Sequence, residues 1–432
     1  MIEKKETSLN ESLKYKKLSN NLDVFIMRKP SVNKKYAILA ADYGSNDLVY
    51  INPHTGEKVS LNYGIAHFLE HKMFEMPDGK DAFEEFSKYG ANANAFTSFD
   101  MTGYLFSVSD SENFKKSLKH LINYVQTPYF TDENVNKEKG IIAQEIRMYD
   151  DNPGWQLFFT ALHNMYKTHP NSIDIAGDVE SIHKITKEEL NDCYSTFYSP
   201  SNMALFATGD FDEDEILSVI EENISDKNRF DGEIKRLNPG ETDPPRETKT
   251  SKKMQVSVPM VSISYKEKNA SLVYGQAALK KEIAVDIAGG IMFSAASELY
   301  NSLFEQGLIF ANLSYSYSRS RDYGYSIISA VTSDPDKVCQ IITEKIATFI
   351  KNGITDEEFE RSKKCILGSY IRKYDDIASF ANDYLSSFFN KIDLFDYNKA
   401  YNSIDKSYVH QMICDIFDPD MKTVNIINPI KE

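Results

Sequence analysis

Cysteine is scarce in this chain. Four residues in 432, Cys193, Cys339, Cys365 and Cys414, stand far apart with no C-x-x-C pair. That spacing argues against a disulfide framework and a thiolate metal site, and fits reduced structural cysteines in a cytoplasmic protein. Long apolar runs are lacking, mean hydropathy is -0.44, and no membrane span is expected. The opening Met1-Ile2-Glu3-Lys4-Lys5-Glu6 is charged and leads into no apolar signal-peptide core, so no secretory signal is expected. Basic residues are outnumbered: 49 Lys and Arg face 64 Asp and Glu, a net charge of -15. The balance disfavours nucleic acid and anionic membranes as partners. It suits basic peptides, and equally an acidic surface kept for solubility. Length is not lacking: it accommodates two domains, each able to bury a core.

Histidine is rare too, eight in all, and two of them open and close His67-Phe68-Leu69-Glu70-His71. On a helix, residues four apart share a face, so His67 and His71 point the same way with Glu70 beside them. Two neutral imidazoles are good zinc ligands, and a catalytic zinc takes three protein ligands plus a water. The order H-x-x-E-H is the zinc-peptidase H-E-x-x-H read backwards. A third ligand is offered further on. Thr131-Asp132-Glu133 predicts a helix start, with a capping hydroxyl and acidic residues in the first turn. Val135, Ile141, Ile142, Ile146 and Met148 keep helical spacing up to Asp150-Asp151-Asn152-Pro153, which ends it. Glu138 and Glu145 lie about two turns apart on one face. One can reach a metal ion, and the other can brace a ligand by a hydrogen bond.

The pattern along the chain predicts a duplication. Strands at 22–27 and 36–41 precede a helix at 63–74 and another at 81–89 with Gly90 as its C-cap. Strands at 92–97 and 102–109, helices at 112–125 and 132–150 and a strand at 203–208 close the first half. The second half repeats the order: strand 256–265, helices 276–293 and 295–305, strands 313–318 and 325–331, helices 335–351, 356–389 and 406–417, strand 422–427. Between them, the mixed-charge stretch with Asn238-Pro239-Gly240 and Asp243-Pro244-Pro245 predicts an exposed linker. The domains are therefore expected at 1–225 (metal-binding), 226–254 (linker) and 255–432 (without metal). Helices and strands that alternate without a strict βαβ series place both halves in the α+β class, helices packed on a mixed or antiparallel sheet.

Five stretches give a family resemblance: Ala41-Asp42-Tyr43-Gly44-Ser45, Gly64-Ile65-Ala66-His67-Phe68-Leu69-Glu70-His71, Asn94-Ala95-Phe96-Thr97-Ser98, Glu138 through Glu145, and Tyr198-Ser199-Pro200-Ser201-Asn202-Met203. In these the chain resembles the pitrilysin and insulysin group of zinc peptidases, in the smaller branch that includes the mitochondrial processing peptidase, and within it the bacterial YmfH-like zinc proteases. The resemblance implies two similar α+β domains facing each other as a shell. It implies one Zn2+ per chain on His67, His71 and Glu145, Glu70 as general base, and Glu138 bracing a ligand from behind. The strand with Asn94, Ala95, Phe96 and Thr97 is then the edge that pairs with the backbone of an extended peptide substrate.

One departure matters. Relatives that work alone or as homodimers carry an Arg and a Tyr seven apart in the second half, which contact substrate and stabilise the oxyanion. The matching segment here is Leu303-Phe304-Glu305-Gln306-Gly307-Leu308-Ile309-Phe310, where neither Leu303 nor Phe310 can donate a hydrogen bond. Arg319, Arg321, Tyr323 and Tyr325 are nearby replacements. The expectation is a zinc metalloendopeptidase that forms the zinc-bearing half of a heterodimer, its partner a homologue without the zinc motif but with the Arg and Tyr. The alternative is a scaffold or assembly protein that keeps the fold without catalysis.

Overall fold

The computed structural model describes residues 1–432 except 7, 8, 31, 227, 231, 238, 239, 269, 271, 272, 312, 431 and 432. It divides into two compact units. The first is Met1–Ile146, Asp174–Leu237 and Lys373–Phe389; the second is Arg147–Ile173, Asn238–Arg372 and Asn390–Glu432. The class is α+β, as the alternation of patterns predicts.

In the first unit a seven-stranded sheet runs, edge to edge, Ile2–Glu6, Glu11–Lys17, Asp23–Arg28, Met203–Gly209, Lys35–Ala41, Thr102–Val108, Asn92–Thr97. Only the Asp23–Arg28 and Met203–Gly209 pair is parallel. The interior strand Lys35–Ala41 is buried along its whole length, which its nearly unbroken apolar sequence allows. Side chains alternate across a strand. Ala37, Leu39 and Ala41 join the core that holds Phe114, Leu118 and Leu121 of helix Ser111–Val125. Tyr36 points the other way, and its hydroxyl donates to Asn382 Oδ1 at 2.7 Å.

Asn382 belongs to helix Ile377–Phe389, which comes from late in the chain yet covers this sheet. Phe25 packs on Tyr384 and Phe388 at 5.0 and 4.9 Å between ring centroids. The single helix expected at 356–389 is in fact two, Asp356–Lys373 and Ile377–Phe389. Asp376 causes the break, because its carboxylate caps a new helix by accepting from the backbone N–H of Ala378 and Ser379.

The second unit holds a five-stranded sheet in the order Lys249–Met254, Lys422–Pro429, Met260–Lys266, Gly324–Val331, Ser314–Arg319. Its first pair is parallel and the rest antiparallel, so it repeats the last five strands of the other sheet, and the duplication holds at the level of topology. Helix Pro153–Met165, early in the chain, packs on strands Met260–Lys266 and Lys422–Pro429. Asn425 Nδ2 donates to the carbonyl of Leu157 at 2.8 Å.

Several expectations are corrected. The division at 1–225 and 255–432 fails for two segments, since 147–173 packs in the second unit and 373–389 in the first. A helix adds buried area wherever its apolar stripe finds a sheet, whatever its place in the sequence. The linker 226–254 is not simply exposed. Asn238 and Pro239 lie outside the described residues, but Lys235–Arg236 pairs with Val49–Ile51 and Lys249–Met254 is a strand. Glu241 accepts from the backbone N–H of Lys167, Thr168 and His169, and from Lys266 Nζ at 2.6 Å. Burial opposes it, yet these donors hold the Glu241 carboxyl down at about 2. The strands Ile2–Glu6 and Glu11–Lys17 went unread because charge dominates them, with only Leu13 and Tyr15 alternating in the second; Ile2–Glu6 is a charged edge strand of the kind that discourages aggregation. Finally, Gly275–Glu305 is long and apolar enough to cross a membrane, contrary to the reading that no such run exists, with 61% of its most apolar window buried inside the fold. The stretch comprises two helices, Gly275–Phe293 and Glu298–Glu305, and a largely buried apolar helix also fits a protein interior.

The cover of the first sheet gives a test. Tyr384 is 2% exposed, and Tyr384→Ala is expected to lower the unfolding free energy by about 3–5 kcal/mol, read from urea denaturation. Unchanged stability would exclude the late helix from that core.

Candidate metal centre

The motif forms helix Ile65–Lys72, shorter than the 63–74 expected. It starts at Gly64, whose φ of 82° is left-handed, and a Cβ there would stand 2.3 Å from the Ala176 carbonyl oxygen. Only glycine fits such a point. The Ser181 hydroxyl donates to the Tyr63 carbonyl at 2.8 Å, so the loop around 174–181 fixes where the helix begins. Phe68 and Leu69 are buried in the core while His67 and His71 emerge on another side, their ring centroids 4.5 Å apart.

The second helix is Asp132–Asp150, as expected. Thr131 and Asn134 cap it reciprocally: the Asn134 N–H donates to Thr131 Oγ1 at 3.1 Å and the Thr131 N–H to Asn134 Oδ1 at 2.9 Å. Val135, Ile142 and Ile146 are buried, but Ile141 and Met148 are 47% and 61% exposed, so those two do not belong to its inner face. Glu138 and Glu145 both turn toward the motif helix.

His67, His71 and Glu145 come together, with one ligand atom from each lying within 4.8 Å of the others. His67 Nε2 is 3.8 Å from Glu145 Oε1, and His71 Nε2 is 3.5 Å from Glu145 Oε2. Behind them, His71 Nδ1 lies 3.1 Å from Glu138 Oε1. A carboxylate only accepts, so Nδ1 carries the proton and donates, which leaves the Nε2 lone pair of the neutral ring facing Glu145. Burial pushes His67 down to about 3, helped by the charge of His71. Burial works the same way on His71, but the hydrogen bond to Glu138 and the charges of Glu70, Glu138 and Glu145 outweigh it, and its pKa is raised. His67 is thus held neutral, and the rise at His71 comes from the carboxylates gathered around it, a cluster of negative charge that a cation can take over. That donor set fits a divalent cation, and two imidazoles with one carboxylate suit zinc.

Glu70 lies beside this group, 8% exposed. Burial raises its pKa, against the hydrogen bond it accepts from Thr97 Oγ1 at 2.6 Å. Thr97 ends strand Asn92–Thr97, which forms one edge of the sheet and, among the described strands, pairs only with Thr102–Val108. Asn94 and Ala95 border an open cleft of about 500 Å³ that also reaches Glu70, His71, Phe74, Phe83 and Glu138. Phe96 is half-buried on the same strand.

The match to known proteins follows the same layout. Residues 57–178 fit the family model described as Insulinase (Peptidase family M16), and residues 184–365 the one described as Peptidase M16 inactive domain. The Bacillus subtilis (strain 168) protein named uncharacterized zinc protease YmfH is 40% identical over 98% of this chain and 97% of its own. This chain belongs to peptidase family M16. A crystal structure of an M16-like peptidase from Alicyclobacillus acidocaldarius, at 35% identity, superimposes with a TM-score of 0.92 over 97% of this chain and 98% of that one. Pitrilysin shares the fold at 16% identity and a TM-score of 0.74, with this chain spanning 46% of its length.

In the second half, the segment aligned above with the Arg and Tyr pair is divided between interior and surface. Leu303 is fully buried and Phe310 is 58% exposed. Arg319 is committed elsewhere: its guanidinium donates to the carbonyls of Ala270 and Val273 at 2.9 and 2.6 Å and faces Glu282 at 3.6 Å. Tyr323 and Tyr325 are each 4% exposed. Two features at the metal centre went unread in the sequence. Thr97, taken for a backbone-pairing residue, holds Glu70. Lys72, directly after the motif, is buried; a lysine there on an otherwise apolar helix face was the available signal.

Gly64→Ala is expected to destabilise the chain by more than about 1 kcal/mol, because a left-handed φ and a backbone clash coincide. A thermal midpoint equal to that of the parent would show that the loop at 174–181 does not fix the helix start.

Proposed function

We propose that this chain is a zinc-dependent endopeptidase acting on extended peptides. The observation that carries the reading is the meeting of His67, His71 and Glu145, with Glu70 alongside and Glu138 behind. Zinc held there supplies Lewis acidity, polarising a scissile carbonyl and making water a stronger acid. Glu70 then accepts the proton of the attacking water and passes it to the leaving amine, a role suited to a carboxyl whose burial raises its proton affinity. Thr97 steers Glu70 by its hydrogen bond. The free edge of Asn92–Thr97 pairs with the substrate backbone, which favours unfolded segments and asks little of their sequence.

At the positions of the Arg and Tyr pair the chain lacks an oxyanion donor, since Leu303 is buried and Phe310 apolar, and the nearby Arg319 is engaged elsewhere. A homodimer repeats the same lack. The chain is therefore read as the zinc-bearing half of a heterodimer, completed by a homologue with the Arg and Tyr pair.

Elemental analysis should find about one zinc per chain, lost in His67→Ala, His71→Ala or Glu145→Ala, with Glu138→Ala weakening affinity about 10–100-fold. Full zinc content in His71→Ala would sink the assignment. Glu70→Gln should keep zinc and lower peptide turnover by roughly 10²–10⁴; activity near the parent's means another base. Alone, the purified chain should bind zinc and hydrolyse peptides poorly, and a homologous partner should restore turnover. Robust activity of the isolated chain overturns the heterodimer. Zinc binding with no hydrolysis under any pairing favours the scaffold reading.

A further inference from the structure

Lys72 is the most buried charged side chain at the metal centre, its side chain 1% exposed. A buried ammonium persists only when paired. Lys72 Nζ donates to Glu75 Oε2 and lies 3.5 Å from Glu138 Oε2. Glu138 is thereby engaged at both oxygens, Oε2 by Lys72 and Oε1 by the Nδ1 proton of His71 at 3.1 Å. We propose that Lys72 is a positioning residue for the metal: it fixes Glu138, and through Glu138 the ring orientation and tautomer of His71.

The inference rests on the zinc reading of His67, His71 and Glu145. Its own support is geometric. Lys72 follows His71 directly, about 100° around the helix, so it cannot join the ligand face. It reaches instead toward the second helix and ties the motif helix to the carboxylate that orients the ligand. Glu75, on the outer side of Lys72, offsets the charge that Glu138 leaves unbalanced. Without the lysine, the contact of Oε1 with His71 is the one side-chain hydrogen bond left to Glu138 among the described residues, and its other oxygen is free to turn. Partners behind a metal-bound histidine commonly matter about 10–100-fold in metal affinity. Here that support extends one residue further back.

The test is zinc affinity, measured by competition with a chromophoric chelator at fixed pH, together with the thermal midpoint of the zinc-free protein. Lys72→Met should weaken zinc binding about 10–100-fold, and Lys72→Arg should recover most of it, because a guanidinium also reaches Glu138. In a Glu138→Gln background the further change Lys72→Met should alter affinity less than about twofold, since one pathway carries both effects. Should Lys72→Met alone fail to fold, the comparison of Glu138→Gln with the double variant still decides, because that variant buries no unpaired charge. Parent-like affinity in Lys72→Met, or an undiminished further loss in the Glu138→Gln background, overturns the proposal. If the parent itself binds no zinc, the reading of the site falls and this inference with it; a parent that binds beside an unaffected Lys72→Met brings down the inference alone.

Discussion

A strand buried along its whole length needs cover on both faces, and that requirement at Lys35–Ala41 organises the first unit. Helix Ser111–Val125 supplies one cover. The other comes from Ile377–Phe389, more than 300 residues on in sequence, anchored by Tyr36 to Asn382 and by Phe25 against Tyr384 and Phe388. The second unit meets the same requirement with Pro153–Met165 from the first half. Each sheet is thus completed by a helix from the other half of the sequence, and neither half as read from the sequence is a self-sufficient folding unit.

The same sheet places the chemistry. Its edge strand Asn92–Thr97 lies against the motif helix and delivers Thr97 to Glu70, so the strand proposed to pair with substrate also holds the proposed base. Burial raises the pKa of Glu70 and lowers that of His67. Both shifts follow from excluding water. A carboxyl that holds its proton more tightly accepts one more readily, and an imidazole that resists protonation keeps a lone pair for a metal.

The duplication has asymmetric consequences. The two sheets share five strands of identical order and direction, yet the second unit offers no histidine pair on the corresponding helix Gly275–Phe293. Its Arg319 and Tyr317 are drawn into a buried network around Glu267, Lys281 and Glu282.

The cluster of His67, His71 and Glu145 was legible in sequence because helical periodicity is local: His67 and His71 one turn apart, Glu138 and Glu145 two turns apart, and a capped helix at Thr131 all follow from spacing. The α+β class and the repeated strand order were legible for the same reason, through apolar alternation. The charged strand Ile2–Glu6 carries no such alternation and Glu11–Lys17 only the pair Leu13 and Tyr15, and the break at Asp376 sits within an otherwise helical pattern. Only the tertiary structure decided which sheet each long helix covers, that Thr97 serves Glu70, and that Lys72 is drawn inward to Glu138. Those outcomes depend on contacts between residues far apart in the chain, where burial and charge pairing outweigh local preference, and no period in the sequence encodes them.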